Sequence, residues 1–293
     1  MLTQEQIKNR VNFIGASDAA AVLGMSRWKT RLQVWAEKTG LIVPEDISEK
    51  LHVKLGNKLE QTVAELFMEE TGKKVHRVNE TAFHTKYPFL GANLDRRVVG
   101  EKAVLEAKTC SAWKAKEWDG EEFPPEYVIQ VMHQLAVTGA DVGYLAVLIG
   151  NQDFKVKTVE RKEKALTDLV NRLAEFWQKF VIPKIPPAVT SQDADTLQAL
   201  YPDATHVEAI ELGDTASAIA ESLEGMETDY KALYNQIEKQ KNELKAMLKD
   251  SKIGISGPWK FKWSNVKAST YTVNKAAYRR FTYDRTEEEK SNG

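Results

Sequence analysis

Two short runs of alternating apolar residues, FLGANLDRRVVG and KAVLEAKTC, constrain the fold of this chain more than any other feature. Each run ends near a turn, as expected of adjacent strands in a sheet. Asp95 lies in the first run, and Glu106-Ala107-Lys108 follows eleven residues later in the second. Because side chains alternate between the faces of a strand, Glu106 and Lys108 share one face and Ala107 takes the other. Two carboxylates and one ammonium are therefore predicted to converge.

This set of charges suits the hydrolysis of a phosphodiester. Mg²⁺ takes oxygen ligands, commonly from one or two carboxylates, and keeps water in its other positions. A neighbouring lysine can orient or deprotonate the attacking water and stabilise charge that develops on the phosphate. The same residue types also form ordinary surface salt bridges, so the triplet by itself leaves both interpretations open.

A helix upstream of the triplet carries a third carboxylate. LHVKLGNKLEQTVAELFMEETG has apolar residues at helical spacing and ends at Gly72, which favours a helix. Glu60 lies beside this apolar stripe, where it can point towards the sheet edge and hold a second metal directly or through water. The alternative is an ordinary solvated glutamate.

A helix and a strand downstream complete the pattern. PPEYVIQVMHQLAVTGA begins with prolines, is apolar at helical spacing and stops at Gly139. Gln130 and Gln134 share a face of this helix, and two buried amides require partners, either a nucleic-acid backbone or an active-site carboxylate. His133 is predicted to be a packed or solvated residue rather than a base. The apolar run VGYLAVLIG is typical of a buried central strand.

The order of these five elements resembles the PD-(D/E)xK nuclease superfamily, and within it the YqaJ-like viral recombinases and lambda-type phage alkaline exonucleases. The opening IGASDAAAVLGMSRWKTRLQVWAEKTG and the terminal YRRFTY are similar to segments of phage proteins of this type. The resemblance covers residues 8–182 well. It implies an α/β (α+β) fold in which a mixed central sheet is flanked by helices, with a long C-terminal helix and a β-hairpin as an appendage.

The resemblance also implies roles for individual residues. Asp95, Glu106 and the backbone carbonyl of Ala107 are expected to ligate Mg²⁺, for which Mn²⁺ would substitute. Lys108 is then placed beside the attacking water, and Glu60 helps to hold metal.

Further roles concern the second helix and the N-terminus. Gln130 matches the first residue of the family's Gln-x-x-x-Tyr motif, whereas Gln134 stands where the tyrosine is expected and is assigned to the DNA-binding set. Arg10 and Ser17 match the spacing of the arginine and serine that grip a 5′-phosphate.

The activity implied is that of a metal-dependent deoxyribonuclease that degrades duplex DNA from its ends, 5′ to 3′. It would leave 3′ single-stranded tails for a single-strand annealing protein and work as a homo-oligomer, a ring trimer by resemblance. Two alternatives remain at this point. One is an endonuclease of the same fold, and the other is a catalytically silent scaffold that binds DNA ends through the C-terminal helix.

Composition narrows the class of protein. The 293 residues include 42% hydrophobic and 28% charged residues, as in a soluble globular protein. No apolar run reaches the length of a membrane span and no secretory signal opens the chain, so no membrane partner is expected. Cys110 is the single cysteine, which excludes an internal disulfide and a four-cysteine iron–sulfur centre. A cytoplasmic phage or prophage protein in a bacterial host is expected.

The net charge of −1 requires that basic residues be segregated around any DNA path. Clusters of this kind are Arg96 and Arg97, Lys114 and Lys116, and Lys29 and Arg31 near Trp28. Four tryptophans, Trp28, Trp35, Trp113 and Trp118, suggest stacking on bases. Trp35 lies on an apolar stripe and is predicted to be core, whereas Trp113 and Lys114 are predicted to contact DNA.

The remainder of the chain changes character after residue 182. A proline-rich segment predicts a boundary, and apolar residues alternating by four and three predict a long helix or short coiled coil. We therefore predict a nuclease domain over 1–182, a linker over 183–213, a heptad helix over 214–250, a basic hairpin-like segment over 251–285 and a disordered tail over 286–293. The helix is expected either to pack along its own domain or to serve as an oligomerisation or partner-binding arm. The basic segment is expected to bind DNA or the recombination partner.

Overall fold

The computed structural model of the chain describes residues 9–120, 123–205, 208–273 and 277–283. It divides into two compact units, residues 1–201 and 202–293, each considered by itself. The predicted tail over 286–293 lies outside the described residues. None of the helices in the described ranges has the length and apolar character that a membrane span requires.

The first unit is built on a mixed sheet. Its strands are β1 (Val75–Arg77), β2 (Ala82–Phe83), β3 (Gly91–Ala92), β4 (Arg96–Val98), β5 (Ala103–Cys110), β6 (Val142–Ile149) and β7 (Asp153–Glu160). Five of them form one sheet in the order β1–β4–β5–β6–β7, and β2 pairs with β3 separately. The β5 and β6 strands are parallel and the other neighbours are antiparallel. The predicted adjacency of the Asp95 and Glu106 strands is confirmed, since β4 pairs with β5.

Helices cover both faces of this sheet, which confirms the predicted fold class. They are α1 (Ala16–Val22), α2 (Arg31–Lys38), α3 (Leu51–Thr71), α4 (Pro125–Thr138), α5 (Glu163–Phe176) and α6 (Ala194–Leu200). Short 3₁₀ segments span Arg10–Asn12 and Ala112–Trp118, and a π-helical turn spans Trp177–Val181. Gly72 and Gly139 end α3 and α4 in the left-handed conformation, as their positions in the sequence predict.

Alternation along β5 divides the core between the two faces. Leu105 packs with Val63 and Phe67 of α3. Val104, which points the other way, belongs with Val131 of α4 to the larger core. Glu106 and Lys108 lie two and four residues after Val104, so their side chains share its face of the sheet and face α4. The α3 helix packs on the opposite face.

Gly143 allows α4 to pack closely against the sheet. A Cβ added at Gly143 would lie 2.1 Å from Val131 Cγ1 and 3.5 Å from Leu135 Cδ2. Both partners belong to the buried core, so α4 would have to move away. We expect Gly143→Ala to lower the free energy of unfolding by about 1–3 kcal/mol, measured by urea denaturation.

The second unit consists of a long helix and a hairpin. The helix, α7 (Asp214–Leu248), contains no buried residue, and the hairpin pairs β8 (Ile253–Ser256) with β9 (Trp259–Lys262). Residues 263–273 and 277–283 form neither helix nor strand. Among the described residues of the predicted segment 251–285, regular hairpin structure therefore spans 253–262, where Gly257 at φ 53° closes the turn.

Gly225 in α7 provides the control for Gly143→Ala. No atom lies within 4 Å of a Cβ built at this position, and alanine favours a helix over glycine by about 1 kcal/mol. Gly225→Ala should therefore leave stability unchanged or raise it slightly. An equal loss for both variants would contradict the packing argument.

The proline-rich segment is not a free linker throughout. The first unit continues to Tyr201 because α6 folds back onto α2. Asp193, which is fully buried, accepts hydrogen bonds from the backbone N–H and the hydroxyl of Thr190. The predicted boundary at 182/183 therefore falls too early, since prolines fix local geometry without preventing tertiary packing.

Candidate active site

The site forms where β4 stops and β5 continues. The last pairing at this end joins Arg96 to Leu105, so the next residues of β5 have a free edge on that side. Asp95 fills part of this edge, where its Oδ2 accepts a hydrogen bond of 2.8 Å from the Ala107 backbone N–H. The N–H and C=O of one strand residue point to the same edge. The Ala107 carbonyl is therefore directed to the Asp95 side as well.

Glu106 and Lys108 meet on the face of β5 predicted from strand alternation. The Lys108 Nζ lies 2.6 Å from Glu106 Oε1. Both residues line one cavity with Asp95 and Glu60. The structure thus brings together the three carboxylates and the lysine that the sequence singled out.

The two glutamines of α4 hold the Glu106 carboxylate. Gln130 Nε2 donates to Oε1 and Gln134 Nε2 donates to Oε2, each at 2.5 Å. Of the two partners predicted for these amides, the structure provides the carboxylate. A direct DNA contact does not fit Gln134, because its side chain has no solvent exposure.

His133 of the same helix contacts the Gly91 backbone instead of the Glu106 carboxylate. It is buried, and its Nε2 lies 3.0 Å from the Gly91 carbonyl oxygen. Burial lowers the pKa of His133 to about 4, so the ring is neutral near pH 7. The predicted packing role agrees with this position.

Glu60 reaches the cavity from α3 but is paired with an arginine. The Arg96 guanidinium bonds to Glu60 Oε1 at 2.5 Å and to Gln61 at 3.0 Å. The Arg96 side chain is buried, so its predicted place along a DNA path is wrong. Its neighbour Arg97 points to the opposite face and is exposed.

The electrostatics of the cavity favour a bound cation. Burial, reinforced by the Glu106 carboxylate, raises the pKa of Asp95 to about 8. Burial acts to lower the pKa of Lys108, but the Glu106 and Asp95 carboxylates outweigh it and raise this pKa. Lys108 is therefore a cation near neutral pH, while Asp95 keeps a proton that a bound cation would displace.

The donor set fits Mg²⁺ rather than a densely ligated metal. Within the described ranges, no group of three or more His, Cys, Asp or Glu side chains is arranged to hold a metal ion. The Glu60 carboxylate is already paired with the Arg96 guanidinium. Asp95, Glu106 and the Ala107 carbonyl remain. One or two carboxylates with water in the other positions are the usual ligands of Mg²⁺.

A second polar cluster joins Arg10 and Ser17. The Arg10 guanidinium donates to Ser17 Oγ at 2.6 Å, and both side chains are accessible to solvent. Behind them the buried Asp18 carboxylate lies 2.8 Å from Lys38 Nζ and 3.2 Å from Lys29 Nζ. This charge network fixes the start of α1 and leaves Arg10 and Ser17 facing solvent together.

Comparison with known proteins decides the family. Residues 6–141 match the model of the YqaJ-like viral recombinase domain. The uncharacterized protein YqaJ of Bacillus subtilis (strain 168) is 34% identical over 280 residues, which is 94% of this chain and 87% of the relative. This chain belongs to the YqaJ-like viral recombinase family.

Solved structures share the fold of this YqaJ-like chain. The alkaline exonuclease LHK-Exo of Laribacter hongkongensis is 21% identical with a TM-score of 0.54, over 62% of this chain and 94% of that one. The LHK-Exo complex with dAMP is 18% identical with the same TM-score, over 67% and 96%. The YqaJ-like segment 6–141 contains the residues of the cavity and ends before β6.

The tryptophans of this YqaJ-like chain occupy different environments. Trp113 is 96% exposed and Trp28 is 63% exposed. Trp118 is buried against Phe123 and Tyr127, so stacking of DNA on it is excluded. Trp35 is core, as predicted.

Tyr127 and Arg96 are site residues that the sequence did not assign. The Lys108 Nζ lies 5.2 Å from the centroid of the Tyr127 ring, within the range of a cation–π interaction. A signal for Tyr127 was present, because it precedes Gln130 by three residues and thus shares its helix face. Nothing in the neighbouring sequence indicated that Arg96, and not Arg97, would pair with Glu60.

Proposed function

We propose that this chain is a Mg²⁺-dependent exonuclease that degrades double-stranded DNA from its ends. The observation that carries the proposal is the convergence of Asp95, Glu106, the Ala107 carbonyl and Lys108 in one cavity. Membership of the YqaJ-like family supports a role in recombination, and the name of LHK-Exo supports an exonuclease.

The residues have distinct parts in the proposed reaction. Asp95, Glu106 and the Ala107 carbonyl would hold Mg²⁺, which when bound activates water and offsets charge on the phosphate. Lys108 donates its ammonium hydrogens to the attacking water and to the phosphate oxygens as negative charge develops there. Gln130 and Gln134 keep the Glu106 carboxylate in one orientation, so that it does not have to be ordered during the reaction.

The finer features of the proposal follow the family resemblance. Arg10 and Ser17 would bind the 5′-phosphate, with a 5′-to-3′ direction and a 3′ tail for a single-strand annealing protein as the result. A ring-shaped homo-oligomer, a trimer, would gather basic residues around the duplex despite the net charge of −1. The protein would act in the cytoplasm of a bacterial host. Mn²⁺ would replace Mg²⁺ in the reaction.

The test is digestion of a linear duplex with a 5′-phosphate at one end, beside a covalently closed circle. We expect loss of nucleotides from the phosphorylated strand with Mg²⁺, none with EDTA, and an intact circle. A nicked or cut circle would indicate an endonuclease instead. No cleavage of either DNA would indicate a scaffold that binds ends.

Arg10→Ala tests the 5′-phosphate site. A hydrogen bond to a charged group contributes about 1.5–3 kcal/mol, so we expect digestion of 5′-phosphorylated ends to slow by roughly 10- to 100-fold and that of 5′-hydroxyl ends far less. The readout is the ratio of the two rates. Arg172→Ala, at an exposed arginine of α5, should keep the wild-type ratio. Equal slowing on both ends by Arg10→Ala would refute the assignment.

A further inference from the structure

Trp28 presents an exposed aromatic ring beside two cations. It lies between α1 and α2 and is 63% exposed. The Lys114 Nζ is 4.8 Å and the Arg27 Cζ is 5.9 Å from the ring centroid. In the described part of the chain Lys114 forms no ion pair, so its ammonium can leave the ring without breaking one.

The position of Trp28 is fixed by its neighbour rather than by burial of its own ring. Arg27 pairs with Glu117 at 2.7 Å and with Glu126 at 2.6 Å. These glutamates lie on the 3₁₀ segment after β5 and on α4, the two elements that follow the active-site strand. Arg27 therefore ties the Trp28 loop to the rim of the active site while the indole remains open to solvent.

Tyr127 connects Trp28 to the active site. Burial raises the pKa of Tyr127, and the nearby Trp28 side chain acts in the opposite direction. The Tyr127 ring is stacked on buried Trp118 with centroids 5.2 Å apart, and Lys108 Nζ also lies 5.2 Å from its centroid. A single, well-packed tyrosine ring thus separates Trp28 from Lys108.

The chemistry of the ring indicates what it binds. A largely exposed indole beside a lysine ammonium suits a flat π-system joined to an anionic group, which is an unstacked nucleotide. A base inside a duplex has no free face, whereas a base at a frayed end does.

We propose that Trp28 is a stacking site for the base of the nucleotide next to the scissile phosphate, and that Lys114 turns from the indole to the adjoining backbone phosphate. This inference rests on the proposed nuclease function and adds a residue to it. Stacking does not depend on base identity, so the site holds any frayed end. The contact with the single strand is thereby assigned to Trp28, which lies near Tyr127, the ring that packs against Lys108 of the cavity.

The test compares binding of two short duplexes in EDTA, one intact and one with abasic residues at the first two positions of the 5′ strand. Fluorescence anisotropy is measured for wild type, Trp28→Ala and Trp28→Phe. We expect wild type to bind the intact end about tenfold more tightly than the abasic end, as expected for the loss of one stack. Trp28→Ala should bind both ends equally, at the wild-type abasic level, and Trp28→Phe should keep most of the discrimination. Tyr201→Ala, at another exposed aromatic residue of the same unit, should behave as wild type.

Two outcomes would overturn the inference. One is an equal loss of affinity for both ends in Trp28→Ala, which indicates a structural role, and the other is no discrimination by wild type. If Trp28→Ala fails to fold, Trp28→Leu, which keeps an apolar side chain but has no aromatic ring, takes its place and should also lose the discrimination between the two ends. If the nuclease proposal is wrong, no cleavage is observed with Mg²⁺. The binding comparison is made in EDTA and does not depend on that result.

Discussion

Replacing Lys108 with alanine is expected to reduce cleavage of linear duplex DNA by roughly 100- to 1000-fold, the usual loss when one preorganised charge is removed from a transition state. The Lys108 ammonium is held 2.6 Å from Glu106 Oε1 and over the Tyr127 ring, so its removal takes a positioned charge out of the cavity. DNA binding should change little, because affinity is spread over many phosphate contacts. Cleavage rates under single-turnover conditions and anisotropy in EDTA measure the two effects separately.

Lys164→Ala is the matched control, since Lys164 is an exposed lysine of α5. It should cleave at the wild-type rate. Lys108→Arg keeps the charge but places a larger, planar group in the cavity, and should recover only part of the rate. Full activity of Lys108→Ala would remove Lys108 from the mechanism and, with it, the main support for the proposed site.

The second large effect is expected from Asp95→Asn, which should abolish cleavage and stabilise the metal-free protein. The pKa of Asp95 is raised to about 8 in the folded protein, against about 3.9 for an unfolded chain. Between these values the folded protein keeps a proton that the unfolded chain has released. The free energy of unfolding therefore falls as pH rises from about 4 to about 8, by an amount on the order of a few kcal/mol.

Asparagine removes this titration and can still accept the hydrogen bond from Ala107 N–H. Thermal unfolding in EDTA should show Asp95→Asn above wild type at pH 8 to 9, with the gap closing towards pH 4. Mg²⁺ should raise the melting temperature of wild type but not of the variant, because a ligand that binds only the folded state stabilises it. Asp141→Asn, at an exposed aspartate, is the control. A constant gap at all pH values would contradict the raised pKa.

The sequence predicted those parts of the fold that depend on neighbours along the chain. Alternation placed Glu106 and Lys108 on one face of β5, and the apolar run of β6 identified an inner strand of the sheet. Gly72 and Gly139 marked the ends of the helices that carry Glu60 and the two glutamines. Each of these inferences needs only the side-chain period of a strand or the residue that ends a helix, and a few consecutive residues contain that information.

Other parts of the site depended on contacts between distant segments. The choice between carboxylate and DNA as the partner of Gln134 was settled by the distance from α4 to β5, which Gly143 permits. The ion pair of Arg96 with Glu60 joins residues 36 positions apart. Trp113 and Trp118 have similar sequence surroundings, yet only Trp118 is buried.

The sequence by itself determined the residue types of the candidate site, their order and the secondary structure on which they lie, because side-chain period and helix capping are local properties. Only the tertiary structure decided which of these side chains touch. The reason is physical: the approach of α3 and α4 to the sheet is fixed by packing of core residues from both faces, and no segment contains that information alone. The pairing of Glu106 with two amides, the pairing of Glu60 with Arg96, and the place of Trp28 next to Tyr127 all follow from that packing.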